Sequence, residues 1–185
     1  MDSKDEEKRI AMTLARRAYL YGAFHVVFGD GVHEASAAQL FGENTASALA
    51  WLAGKVAADE GLSEKSVGLS LRTMTECVAE AVACVGEHSE GDAVSKATAA
   101  MEEDFPKLFQ VPGDSYVRPW ESPYTSTDGM LFRGSTLDVR SFYHQAGFRL
   151  QTEQHFPDDH VSAMMDFMAR MSQCVYEAYA DGRDE

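Results

Sequence analysis

Apolar residues recur at three- and four-residue steps along most of the chain, the period of a helix that buries one face. Ile10, Leu14, Ala18, Tyr21, Phe24 and Phe28 form such a stripe over residues 4–28, and Gly29 supplies its stop. A shorter segment at 34–41 leads through Gly42 to a third helix carrying Leu49, Leu52 and Val56, with Asn44 or Thr45 as its cap and Gly61 at its end. Ser63 then caps a long helix in which Leu71, Met74, Val78, Val82 and Val85 keep the period up to the polar stretch 86–91. A further helix covers 92–104. Pro106 lacks an amide hydrogen and crowds the turn before it, which predicts a kink or restart, with Leu108 and Phe109 on the last turn.

The pattern lapses between residues 110 and 128, where Pro112, Pro119 and Pro123 alternate with Tyr116, Tyr124 and Trp120. Loops this long inside a compact domain are uncommon and often functional. Helical period returns with Val139, Phe142, Tyr143 and Ala146, opened by Ser135 or Thr136 and closed by Gly147. After a second loop at 148–157, Asp158 and Asp159 suit a helix start as caps and as charges on the macrodipole. The final helix bears Val161, Met164, Met165, Phe167, Met168, Met171 and Val175. Nothing alternates with the period of a strand. The expected fold is all-α, a single-domain helical bundle over residues 1–185 with a long Pro- and aromatic-rich loop.

Composition narrows the function classes. A chain of 185 residues with 45% hydrophobic content suffices for one core that buries roughly 70% of the surface of the unfolded chain. The net charge of −14 opposes phosphate backbones and anionic membranes and suits a basic partner, which excludes nucleic acid as the expected ligand. No apolar run approaches the roughly 20 residues that span a bilayer. Arg16 and Arg17 look like an export motif, but Asp5, Glu6 and Glu7 precede them and Gly22, His25 and Asp30 interrupt the apolar run after them. They read as a charged strip on a helix, and the chain is expected in the cytoplasm. Cys77, Cys84 and Cys174 have no metal-ligand spacing and read as reduced, mostly buried thiols.

The search for chemistry finds little. The histidines lack HExxH or paired Glu-x-x-His spacing, and no glycine-rich phosphate loop follows a strand, so neither metal nor cofactor is expected. Ser122, Asp159 and His160 have the residue types of a hydrolytic triad, but neighbours on a helix point about 100° apart and there is no G-x-S-x-G elbow. The alternative reading makes Asp159 a cap and packs His160 on the preceding loop. Trp120 and Tyr124 have a similar pair of readings, as anchors of their loop or as walls of a binding surface.

Three blocks decide between these readings: D-F-P-K-L-F at 104–109, P-W-E-S-P-Y at 119–124 and F-P-D-D-H at 156–160. In order and rough spacing they resemble the signatures of the TorD/DmsD family of redox-enzyme maturation chaperones, and T-L-D-V-R-S-F-Y-H-Q-A-G-F at 136–148 is similar to a helix of that family. The resemblance covers about a third of the chain. It implies a TorD-like helical bundle without catalysis, in which Phe105, Leu108, Phe109, Pro119, Trp120, Ser122, Tyr124, Asp159 and His160 converge on a groove for a signal peptide. Pro106, Lys107, Gln110, Val111, Glu121 and Phe156 depart from the family pattern and bear on peptide preference.

The implied partner is the twin-arginine leader and apo-form of a molybdopterin oxidoreductase of the dimethyl sulfoxide reductase type, held until its cofactor is inserted and export proceeds. The rivals are a NarJ-like assembly factor for a non-exported subunit and a helical hydrolase using His160. Many family members continue with further helices beyond the one that ends this chain. A second copy covering the apolar final helix is therefore expected, as a homodimer that exchanges helices through residues 148–157.

Overall fold

The computed structural model describes residues 3–29, 31–58, 91–126, 134–151 and 157–182, with single positions at 80, 83, 86, 130, 153 and 155. Among these residues the chain is all-α: α1 (Ser3–Gly29), α2 (Glu34–Leu40), α3 (Glu43–Ala58), α4 (Gly91–Phe109), α5 (Ser122–Thr125), α6 (Gly134–Gln145) and α7 (Val161–Ala180). The expected long helix at 63–85 lies outside the described residues except at positions 80 and 83, as do Gly61 and all of the polar stretch 86–91 but its two ends. No helix among those described is long and apolar enough to cross a membrane.

The described chain falls into two compact units. The first comprises Met1–Gly31 and Glu103–Glu185. Its frame is the antiparallel pairing of α1 with α7. At one end Ser162 Oγ donates to the His25 carbonyl at 3.1 Å, and His25 Nδ1 lies 2.9 Å from that hydroxyl and 3.0 Å from the Ser162 carbonyl. At the other, Tyr179 Oη donates to the Glu7 carbonyl at 3.4 Å. The helices approach so closely that a Cβ on Gly29 would sit 2.7 Å from Ser162 Oγ.

α6 ends as its sequence predicts, and the ending builds the core. Gly147, at φ +73°, takes the left-handed position that glycine adopts without a Cβ penalty. Its N–H bonds the His144 carbonyl at 3.0 Å while that of Phe148 bonds the Tyr143 carbonyl at 2.9 Å. This reversal turns Phe148 back onto Tyr143, ring centroids 5.2 Å apart, and both meet Phe167 of α7 at 5.4 and 4.8 Å. Each such aromatic contact contributes about 0.5–1.5 kcal/mol beyond the area it buries.

The second unit, Val32–Glu102, contains α2, α3 and the first part of α4. Val32, Ala37, Leu40, Phe41, Ala48 and Leu49 are buried. α2 opens with a reciprocal pair: the His33 N–H donates to Ser36 Oγ at 3.2 Å, and that hydroxyl donates back to the His33 carbonyl at 3.0 Å.

Three local expectations are corrected. α3 starts at Glu43 rather than after Asn44 or Thr45, because Thr45 is buried and its hydroxyl donates to the Gln39 carbonyl at 3.1 Å instead of capping. Of the kink or restart expected at Pro106, the restart does not occur: α4 runs through Pro106 to Phe109, and the Pro106 carbonyl accepts from both Gln110 and Val111 as the helix ends. The aromatic loop is not free of helix, since Ser122–Thr125 forms one turn with Pro123 near its start, where a missing N–H is harmless.

Candidate functional site

The Pro157–His160 turn organises the loops of the first unit. Pro157, Asp158 and Asp159 are buried, Asp159 completely. Its carboxylate accepts the Ser122 N–H at 2.7 Å and the Thr136 hydroxyl at 3.2 Å, and its carbonyl accepts the Glu121 N–H at 3.1 Å. Asp158 accepts from Arg140 through Nε at 2.8 Å and through Nη2, and its carbonyl accepts the Tyr143 hydroxyl at 3.1 Å. Burial, reinforced by the carboxylates of Asp158 and Asp159, pushes the Tyr143 phenol well above the usual tyrosine range, so it stays a donor.

These bonds correct the expected helix start. The two aspartates are drawn inward by donors from α5 and α6, and His160 caps α7 instead, its Nδ1 accepting the Ser162 N–H at 3.2 Å. That bond needs the neutral ring. Burial lowers the His160 pKa and outweighs the raising effect of Asp159. The triad reading has no geometry behind it: Asp159 holds the backbone of Ser122, and Ser122 Oγ is buried without a hydrogen-bond partner among the described residues.

The same turn fixes Trp120. A single antiparallel bridge pairs Trp120 with His160, Val161 N–H donates to the Pro119 carbonyl at 2.8 Å, and the two rings meet edge to face at 5.4 Å. Beside them lies an open hollow of about 330 Å³, lined almost wholly by apolar atoms of Phe28, Phe109, Pro119, Trp120, Tyr124 and Val161 among others. Phe109 is held by Phe28 at 5.7 Å and by Phe105 at 5.4 Å. Phe105 packs in turn over Gly31, whose φ of +79° and missing Cβ make room for the ring. Tyr124 is 65% exposed and anchored by its hydroxyl on the Arg118 carbonyl at 3.1 Å.

The expected residues therefore divide. Phe109, Pro119, Trp120, Tyr124 and Asp159 border the hollow; Phe105 supports Phe109, and the Leu108 carbonyl accepts the Val117 N–H at 2.7 Å. Ser122 is fully buried behind the wall, and His160 holds Trp120. The motifs do not reveal a second hollow of about 380 Å³, which shares Glu121 and Met164 with the first and continues along α6 and α7 past Asp138, Phe142 and Met168. Phe142 belongs to the apolar stripe of its helix and is legible in sequence only as packing, yet it is 60% exposed. Arg140 falls within the 136–148 block, but nothing in the sequence names its partner, buried Asp158. An open trough of about 800 Å³ runs elsewhere along α1 and α7, past Ala15, Ala18, Ala169 and Tyr176; it touches the end of the 136–148 block at Ala146, Gly147 and Phe148 but none of the expected peptide-binding residues. Cys174, expected among buried thiols, is exposed there. No cluster of three metal-ligating side chains occurs among the described residues.

Comparison with known proteins agrees with the motif blocks. Residues 69–185 match the family model described as nitrate reductase delta subunit. A stretch of 73 residues is 31% identical to the probable Tat proofreading chaperone DmsD of Haemophilus influenzae, covering 40% of this chain and 36% of that protein. No solved structure matches. With the family match spanning more than half of its length and the three blocks folded around one turn, this chain belongs to the TorD/NarJ-type family of chaperones, whose members are not enzymes.

Proposed function

We propose that this protein is a maturation chaperone that captures the twin-arginine leader of an apo-molybdoenzyme of the dimethyl sulfoxide reductase type, holding it in the cytoplasm until its cofactor is in place. The observation that carries this reading is the pair of adjoining apolar hollows along the start of α7, bordered by Trp120, Phe109 and Phe142 and flanked by Glu121 and Asp138. A leader offers a short apolar helix beside a basic motif. The hollows supply contact area for the first and the carboxylates attract the second, in the manner of a helix laid in a groove. Exposed ion pairs contribute about 0.2–1 kcal/mol each, so the apolar segment provides most of the affinity and added salt weakens binding only modestly.

Titration calorimetry against twin-arginine leaders encoded beside the gene tests the reading. Saturable binding is expected, lost when a charge is placed in the leader's apolar segment. The family description as a nitrate reductase subunit favours a second reading, a NarJ-like assembly factor for a subunit that is not exported. No heat with any leader, alongside firm binding to a mature subunit lacking one, would select it. The trough beside α7 also fits a homodimer, swapped through residues 148–157, and light scattering at high protein concentration tests that part.

A further inference from the structure

We propose that Glu121 is the specificity residue for an arginine of the bound peptide, taking its guanidinium in the second hollow. The inference rests on the peptide-binding reading above and assigns one side chain within it. Glu121 occupies the junction of the two hollows and lines both. Its backbone is fixed, with the N–H on the Asp159 carbonyl at 3.1 Å and the carbonyl accepting from Tyr124 at 2.9 Å, so the side chain is aimed by a rigid turn. The residue is half-buried, and no cation pairs with its carboxylate among the described residues; Arg140, on α6, is engaged by Asp158. A carboxylate beside an apolar hollow and without a protein cation is open to an ion pair with a ligand cation.

The rest of the hollow favours arginine over lysine. Ser135 also lines it, and its hydroxyl, buried and without a hydrogen-bond partner among the described residues, becomes a second acceptor for a group with five N–H donors if it turns toward the hollow. Phe142 presents a largely exposed ring, a face on which a planar guanidinium stacks. Met164 and Met168 offer apolar surface to the alkyl stem. Asp138, exposed at the same hollow, adds negative charge without fixing a geometry.

The test is a cycle read by fluorescence anisotropy. Three labelled synthetic peptides share one apolar segment, preceded by Arg-Arg, Lys-Lys or Gln-Gln, and each is titrated with the wild-type protein and with Glu121→Gln. The isosteric amide leaves the backbone bonds of the turn intact, and circular dichroism confirms folding. For the wild type, Kd should rise about tenfold from Arg-Arg to Gln-Gln and about threefold or more from Arg-Arg to Lys-Lys, whereas for Glu121→Gln all three should agree within about twofold. If Glu121→Gln keeps the full arginine preference, the assignment falls while the groove stands. Equal wild-type affinity for Arg-Arg and Lys-Lys overturns the guanidinium reading. If no peptide binds the wild type, both the groove and the assignment are lost.

Discussion

Asp159 and Ser122 stand 37 residues apart in the chain and meet through one 2.7 Å hydrogen bond, from the Ser122 N–H to the buried Asp159 carboxylate. The bond ties the aromatic loop to the start of α7, and with it the wall of the hollow to its floor. Replacing Asp159 with Asn puts an amide donor where one of two acceptor oxygens stood. The expected loss is about 2 kcal/mol, from charge-assisted bonds worth about 1.5–3 kcal/mol each and partial rescue by the remaining oxygen. Urea unfolding of Asp159→Asn measures it, and an unchanged midpoint would show that the bond contributes nothing.

Arg140 and Asp158 make the corresponding test for a buried ion pair. Asp158 is 1% exposed, so Arg140→Ala strands a carboxylate in the interior and should cost about 3–5 kcal/mol. Adding Asp158→Asn to that variant should recover part of the loss. A double mutant no more stable than Arg140→Ala alone would remove the stranded charge as the cause.

Trp120 separates binding from folding. Its ring borders the hollow and rests on His160 rather than within the Tyr143, Phe148 and Phe167 cluster. Trp120→Ala should weaken leader binding by about 2 kcal/mol or more while lowering stability less. Should the variant unfold and its residual folded fraction bind with full affinity, Trp120 is an anchor and not a wall of the site.

His160 gives the site a dependence on pH. Its folded pKa lies below the ordinary value of 6.5, so between the two values the unfolded chain holds more protons than the native one. The stability it contributes is present above about 6.5 and is lost as pH falls through the folded pKa. Protonation also removes the acceptor for the Ser162 N–H and puts a positive charge at the helix start. His160→Asn retains a capping side chain without the titration, so its unfolding midpoint should change less between pH 7.5 and pH 5.5 than that of the wild type. Parallel curves for the two proteins would refute this.

Local signals and long-range ones are legible to different degrees. The stripe of α1, the Gly147 ending of α6 and the apolar face of α7 follow from neighbours in sequence, and the structure has them where periodicity puts them. The motif blocks point to one region, and Phe109, Pro119, Trp120 and Tyr124 do border one hollow. Sequence alone does not say which polar side chain each donor chooses. Asp158 and Asp159 are good caps by type, but Arg140 and Ser122 lie 18 and 37 residues away and outcompete the helix start for them. Pro106 reads as a break because its own bond is missing, while the carbonyl bonds at the helix end and the Phe105–Phe109 packing hold the turn together. Glu121 is visible in sequence only as a departure from a family pattern; its place between two hollows is a property of the folded loop.

The pairing of α1 with α7 also dictates when the hollow comes into being. His25 and Ser162 are 137 residues apart, a separation that takes roughly seven to thirty seconds to synthesise at ordinary rates of translation. Throughout that interval α1 is on hand without its mate, and Val161 and Met164, which complete the hollow, do not yet exist. The hollow therefore arrives in one step with the emergence of α7 rather than growing along the nascent chain, and a half-made molecule on the ribosome lacks it.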